Sequence, residues 1–291
     1  MSAETAFIEA LRSLAVHPAA RGLDDDAAVL ETGGETLVIT HDVLVEGVHF
    51  LPEADMGDVA WKLVATNMSD LAAKGAVPMG AMLGHMLGRD DDRFVAGLSE
   101  ALEHYGCALL GGDTVSGIAQ RSFGMTAIGR AVHCPVPSRG GAKPGQGLYM
   151  VGTVGAAMIG LEALRAGSAE GSLAYRRPRA LLGEGQALAP HVSAMMDVSD
   201  GLLLDAARMA AASEVTLEIN SERVLLGCPV NRRKEALRWG DDYALLFTAD
   251  GADLPAVGAR KIGYVVEPSG APITLDGQPL TETDNLGYRH F

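Results

Sequence analysis

The sequence predicts a layered α/β (α+β) fold in two domains. Three observations carry that expectation. Short apolar runs of strand character alternate with helical patterns in both halves of the chain. Hydrophobic residues make up 48% and charged residues 21% of the 291, enough to fill a core and too little charge for a disordered chain. A stretch rich in proline and glycine, Pro135 to Gly145, interrupts the alternation near the middle and reads as a domain junction. It divides the chain into residues 1–138 and 139–291.

The elements follow in order. Residues 3–16 read as a short amphipathic helix with Phe7, Ile8, Leu11 and Leu14 on one side. Thr36 to Thr40 is a strand ending at the polar His41-Asp42. Asp58 to Lys74 is a helix, because Val59, Leu63, Thr66 and Ala73 recur at helical spacing and Gly75 followed by Pro78 stops it. Met79 to Leu87 reads as a strand. Asp90-Asp91-Asp92 then places negative charge at the start of a helix running to about Tyr105. Cys107 to Leu110 is expected to be a buried strand that runs into Gly111-Gly112-Asp113, and Phe123 to Arg130 another strand. Beyond the junction, Leu148–Val154, Val215–Ile219, Tyr243–Thr248 and Lys261–Val266 read as strands. Ala156–Ala166 and Ser199–Ala212 read as helices, the second opening on Ser-Asp-Gly.

The bulk numbers exclude several function classes. A formal net charge of −14 disfavours nucleic-acid binding, which needs basic surface against phosphates. An anionic small substrate would have to be bridged by metal ions or met by a local Arg or Lys. Cys107, Cys134 and Cys228 are odd in number and widely spaced, which argues against a disulfide framework or zinc site and for a reducing cytoplasm. The start, Met1-Ser2-Ala3-Glu4-Thr5, lacks the basic and apolar regions of a signal peptide. No apolar run approaches the ~18 residues of a membrane span.

Aspartate recurs in turn-like contexts beside glycine, serine or threonine: Asp24-Asp25-Asp26, Thr40-His41-Asp42, Ser69-Asp70, Gly112-Asp113-Thr114, Asp197-Val198-Ser199-Asp200-Gly201 and Gly240-Asp241-Asp242. Carboxylates are costly to bury together unless a cation lies between them, so a fold that gathers these segments makes a cage for hard cations such as Mg²⁺ with phosphates. Asp70 is one of the strongest single candidates, since Leu71, Ala72 and Ala73 surround it in an apolar helix. Gly112 lets the backbone approach a phosphate closely beside Asp113. The Asp197–Gly201 segment could simply cap the following helix through Ser199 or Asp200, although capping does not require Asp197 as well. Arg139 is either a solvated linker charge or a partner for a triphosphate. There is no G-x-x-x-x-G-K-[ST] and no H-R-D, so ATP, if it binds, binds through metals rather than through a P-loop lysine.

Taken in order, the motifs resemble the thiamine-monophosphate kinase family of the aminoimidazole-ribonucleotide-synthetase-like superfamily. The family pattern places Asp-Asp at Asp25-Asp26, a strand end at Thr40-His41-Asp42, Gly-x-His-Phe at Gly47–Phe50, and Asn-x-Ser-Asp-Leu-Ala-Ala-x-Gly-Ala-x-Pro at Asn67–Pro78. It continues with Gly-Gly-Asp-Thr at Gly111–Thr114, the Arg139–Gln146 junction, Asp-x-Ser-Asp-Gly-Leu at Asp197–Leu202, and the Gly240–Leu245 segment. The resemblance implies ATP-dependent phosphorylation of thiamine monophosphate to thiamine diphosphate. It implies that Asp26, Thr40, His41, Asp42, Asp70, Asp113, Asp197 and Asp200 surround Mg²⁺, that Gly112, Asp113, Arg139 and Ser199 contact ATP, and that His49, Asp241 and the position of Asn285 contact the substrate. It implies an N-terminal α/β domain that pairs with its copy in a homodimer, an α+β C-terminal domain, and an active site in the cleft between them.

The sequence departs from that pattern mainly at the thiamine end. Asp241 stands where the pattern has Glu, Ala244 where it has a second Glu, and Asn285 where an aromatic ring stacks on thiamine; His41 replaces a hydroxyl residue and Asp24 a glycine. The expected chemistry is direct in-line transfer, with Asp42, Asp70, Asp113 and Asp197 as the catalytic carboxylates and no phosphoenzyme. Two competing readings stay open at this level. One is another ATP-dependent enzyme of the superfamily. Against two such members stand the lack of Cys and Lys in residues 1–30 and the ending Arg289-His290-Phe291. The other is a non-catalytic nucleotide- or metal-binding regulator.

Overall fold

The computed structural model describes residues 3–118, 120–251, 253–281 and 283–289. The readings placed on Met1-Ser2 and on His290-Phe291 lie outside the described residues. In chain order the first half contains α1 (Ala3–Arg12), β1 (Ala28–Thr32), β2 (Glu35–Val45), α2 (Met56–Ala73), β3 (Ala76–Met86), α3 (Asp91–Tyr105), β4 (Ala108–Val115) and β5 (Ser122–Ala131). The strands form one sheet in the order β1-β2-β5-β3-β4, antiparallel except for the β3–β4 pair.

The second half contains β6 (Gly147–Val151), α4 (Ala156–Arg165), α5 (Leu173–Arg176), α6 (Leu182–Leu188), β7 (Ala194–Val198), α7 (Leu202–Ser213), β8 (Thr216–Ile219), α8 (Arg233–Ala236), β9 (Ala244–Ala249), β10 (Arg260–Val266), β11 (Ile273–Leu275) and β12 (Gln278–Leu280). These strands form a second sheet in the order β12-β11-β8-β10-β6-β9-β7. The fold is thus two α/β units built around separate sheets.

Helix α2 joins the two units. Asp55 caps it through the amides of Gly57 and Asp58. Every residue of α2 except Trp61 and Asp70 is buried, so protein encloses the helix nearly all round, its polar residues included. Leu63, Val64 and Met68 belong to the core of the first sheet. Ala72 and Ala73 pack instead with Val151, Met195, Leu245 and Phe247 of the second sheet. Asp58 holds α5 against this helix through Arg176 and Arg177, the latter with Nε at 2.5 Å.

Four sequence expectations need correction. The strand expected to end at His41-Asp42 continues to Val45, because β2 pairs with β5 along its full length. The 107–110 strand is not buried: every residue of β4 is exposed, since β4 is the sheet edge and receives little helix cover. The first helix stops at Arg12 rather than 16, and its apolar side points largely to solvent, with Phe7 and Leu14 both exposed. The helix expected from Ser199 begins at Leu202, and neither Ser199 nor Asp200 caps it. Asp205, in its first turn, reaches back to accept the amides of Ser199 and Asp200, each at 3.0 Å.

Candidate active site

The site is built around one stripe of α2. Lys62, Thr66, Asp70 and Lys74 lie four residues apart and so share one side of the helix. Each meets a different acidic or hydroxyl group. Lys62 Nζ pairs with Asp241 at 2.8 Å, and Thr66 lies against Asp42. Asp70 accepts from the Thr40 hydroxyl of β2. Lys74 pairs with Asp25 and Asp26, which precede β1. Next to Asp70 on the helix, Ser69 donates to Asp197 of β7 at 2.7 Å. Segments more than a hundred residues apart therefore converge on one helix face.

The carboxylates divide into two groups by their partners. Asp26 is met by Lys74 at 2.7 Å and by Arg139, whose Nε lies 2.9 Å away. Burial by itself would raise Asp26, but these two cations outweigh it and hold the carboxyl down at about 2. Asp70 and Asp197 have hydroxyl partners instead, from Thr40 and Ser69, and Asp42 lies against Thr66, whose hydroxyl donates to the Leu63 carbonyl at 3.0 Å. Burial raises all three, and neighbouring carboxylates add to it: Asp42 to about 6, Asp197 to about 8, and Asp70 well above the ordinary value. Ligand oxygens of Asp26, Asp70 and Asp197 lie within 4.8 Å of one another. Asp26 already meets two protein cations, whereas Asp70 and Asp197, with oxygens this close and no ion-pair partner among the described residues, fit a divalent ion of the hard, oxygen-liganded kind.

These shifts have a testable sign. A carboxyl whose folded pKa is raised stabilises the fold while protonated. Its contribution is full below the unfolded value near 3.8 and is lost as the pH rises through about 6 at Asp42 and about 8 at Asp197. Asp26 has the opposite sign, but its contribution is lost only as the pH falls through about 2, so it adds no slope near neutrality. With a chelator present, Tm is expected to fall between about pH 5 and about pH 8, and Mg²⁺ to raise Tm more at the upper pH. Thermal scans at both pH values check this; an Mg²⁺ increment independent of pH contradicts it.

The cluster opens into a cavity of about 860 Å³ between the two units. Asp42, Asp70 and Asp197 line it together with Ser199 and Asp200. Asp200 pairs with Arg208 at 2.6 Å, an arginine that also holds Asp205 at 2.8 Å. At the far end stand His49, Asp241 and Asn285, the three expected substrate contacts. The His49 ring accepts from the Val45 amide at 3.0 Å through Nδ1, which places its proton on Nε2. The His49 carbonyl accepts from Lys62 at 3.0 Å and from the Tyr175 hydroxyl at 3.2 Å. Tyr243 donates to Asp241 at 3.1 Å. Asp241 and Tyr243 both have positive φ, 66° and 51°, and backbone strain of this kind concentrates at working sites. Gly240 is required there, because a Cβ would lie 2.2 Å from the Ser199 carbonyl.

Not every expected site residue joins the cluster within one chain. Side chains of a strand alternate between faces. Thr40 and Asp42 face α2, so His41 faces the other way and bonds Thr126 at 2.9 Å. Asp113 pairs in register with Gly84, Gly84 with Gly124, and Gly124 with Val43, which puts Asp113 on His41's side of the sheet. Three strand spacings, roughly 14 Å, also separate β4 from β2. Gly112 lies on the same edge strand. Of residues 42, 70, 113 and 197, Asp42, Asp70 and Asp197 line the same cavity, and Asp113 of the same chain does not.

The structure also adds residues that the sequence reading passed over. Lys62 and Lys74 carried the same signal as Asp70, an ionised group inside an apolar helix. Tyr175 and Asp205 carried none, because α5 is one turn long and Asp205 sits at an ordinary helical position.

Two domain families cover most of the chain. Residues 24–131 match the N-terminal domain of AIR synthase related proteins, and residues 143–267 match the C-terminal domain. The thiamine-monophosphate kinase of Caulobacter vibrioides is 36% identical over 94% of this chain and 86% of its own length. The chain belongs to the thiamine-monophosphate kinase family. The family member of Escherichia coli is 33% identical, covering 93% of this chain and 91% of its own. Among solved structures, AaThiL complexed with AMPPCP and TMP superposes with a TM-score of 0.90 at 29% identity, over 99% of this chain and 97% of that one. Thiamine-monophosphate kinase family membership thus extends over both units and over the cavity between them.

Proposed function

We propose that this chain transfers the terminal phosphoryl group of ATP to the phosphate of thiamine monophosphate, giving thiamine diphosphate and ADP. The observation that carries this reading is the trio Asp42, Asp70 and Asp197, half-buried or buried without an ion-pair partner among the described residues, at the wall of a cavity large enough for both substrates. In the reaction an oxygen of the acceptor phosphate forms a bond to the γ-phosphorus, and the bond from that phosphorus to the β–γ bridging oxygen breaks. The acceptor phosphate is already ionised at neutral pH, so no strong base is needed. Magnesium bound at the trio would supply charge neutralisation between two polyanions. Ser199 and Arg139 lie on the nucleotide side of this proposal, and the ring of His49 and the Lys62–Asp241 pair on the acceptor side.

The acceptor end departs from the family pattern at Asn285, yet the cavity is not without aromatic surface. Tyr175, Trp239 and Tyr288 line it. Trp239 and Tyr288 are the aromatic residues proposed to meet a thiazolium cation where Asn285 cannot. Incubation with ATP, Mg²⁺ and thiamine monophosphate, followed by chromatography, is expected to yield thiamine diphosphate and ADP in equal amounts. Nucleotide binding without any product would favour the regulator, and ADP without thiamine diphosphate would overturn the acceptor assignment.

The same proposal includes a homodimer, with the junction near residue 138 dividing a dimerising N-terminal domain from the C-terminal one. It is supported by the face of the first sheet turned away from α2. That face and its edge expose Val43, Met79, Met82, Leu109, Leu110 and Val115, with Leu110 at 59%. A second copy of this chain against it is what could return Gly112 and Asp113 to a nucleotide site. The cytoplasm as compartment rests on Cys107, Cys134 and Cys228 being unpaired; no helix among the described residues is long and apolar enough to cross a membrane. Leu110→Glu is expected to convert a dimer to a monomer in light scattering and to cost at least ~10-fold in activity. A variant that stays dimeric and active contradicts this arrangement.

A further inference from the structure

The acidic cluster already contains a cation of the protein's own. Lys74 directly follows the last residue of α2 and is 0% exposed. Its ammonium lies 2.7 Å from Asp26, pairs with Asp25, and donates to the Met195 carbonyl at 3.1 Å. Asp25 and the Met195 carbonyl take two of its three donor hydrogens, and Asp26 Oδ2 meets it as an ion pair without a hydrogen bond. Arg139 adds a second cation to Asp26, and Arg21 a second to Asp25. This end of the cluster therefore sets three protein cations against two carboxylates.

Asp26 is nonetheless close to the other acids. An oxygen of Asp26 lies within 4.8 Å of oxygens on Asp70 and Asp197. Proximity alone would count Asp26 as a divalent ligand with them. Charge argues the other way. A divalent ion bound at Asp26 would have to sit beside a dehydrated ammonium that cannot turn to water, and like charges repel strongly where solvent does not screen them. Asp42, Asp70 and Asp197 face no such cation.

We propose that Lys74 is a resident counter-cation of the acidic cluster: with Arg139 it claims Asp26, withdraws that carboxylate from divalent binding, and leaves Asp42, Asp70 and Asp197 as the divalent ligands. Lys74 is thereby a positioning residue that sets how many ions the site takes. The inference rests on the reading of the trio as a divalent site, and it concerns the ion count rather than the acceptor.

The test counts Mn²⁺ bound per chain, from the free Mn²⁺ signal in electron paramagnetic resonance, on the full-length protein without nucleotide. Wild type and D26N are expected to bind equal numbers with dissociation constants within about threefold of each other. K74M is expected to bind one ion more than wild type, and the K74M/D26N double variant to lose that ion again. Circular dichroism establishes that each variant is folded. A D26N protein that binds one ion fewer than wild type overturns the proposal, as does a folded K74M protein with the wild-type count. Should K74M not fold, the D26N comparison decides alone. Failure of wild type to bind Mn²⁺ at all overturns the divalent reading and this proposal with it, whereas a loss confined to D26N overturns only the role of Lys74.

Discussion

Asp70→Asn is expected to leave a folded protein whose turnover of thiamine monophosphate falls by roughly two to three orders of magnitude. Asp70 stands at the middle of the polar stripe of α2, with Thr40 on one side and the carboxylates of Asp42 and Asp197 nearby. The substitution keeps the shape and a hydrogen-bond acceptor for Thr40. It removes the charge that a divalent ion would need. The same change relieves repulsion among three carboxylates, so the metal-free variant is expected to melt at or above the wild-type temperature. Steady-state rates and thermal scans in chelator together check this. Near-normal turnover would displace Asp70 from the site, and a large loss of stability would show that the effect on turnover came through folding.

A large effect on stability is expected at a residue outside the acidic cluster. Gly97 of α3 crosses Gly57 of α2 so closely that a Cβ on Gly97 would lie 2.2 Å from the Gly57 carbonyl oxygen. The obstacle is backbone, so no side-chain rotation relieves it. Gly97→Ala must push α3 away from α2 or distort one of them, at a cost of about 1–3 kcal/mol. For a chain of this size Tm is then expected to fall by roughly 3–10 °C. Since α2 carries Lys62, Asp70 and Lys74, Mg²⁺ should recover less stability in this variant than in wild type. An unchanged Tm would mean that the two helices part without cost.

Much of this was legible in the residues alone. Helix α2 showed itself by helical spacing and by Gly75, within two residues of its bounds at the start and one at the end. Asp70 stood out because a carboxylate among Leu71, Ala72 and Ala73 has no reason to be there unless something neutralises it. A buried ammonium among apolar residues carries the same signal, at Lys62 and Lys74 of the same helix. β4 departs from the expectation for a physical reason: a run such as Ala108-Leu109-Leu110 reads as buried on composition, but composition does not say whether a strand lies at a sheet's edge. Asp205 was missed because its role depends on the chain turning back over Ser199 and Asp200 before α7 begins.

The amino-acid sequence by itself determined the elements, the acidic segments and the polar stripe of α2, because each depends on spacing along the backbone, which covalent geometry sets. Only the tertiary structure decided which carboxylate meets which cation. Asp26 is claimed by Lys74 and Arg139, while Asp70 and Asp197 are left with hydroxyls; Asp113 lies across the sheet from all of them. Those pairings join residues up to 128 positions apart, and strand order, sheet face and burial set their distances.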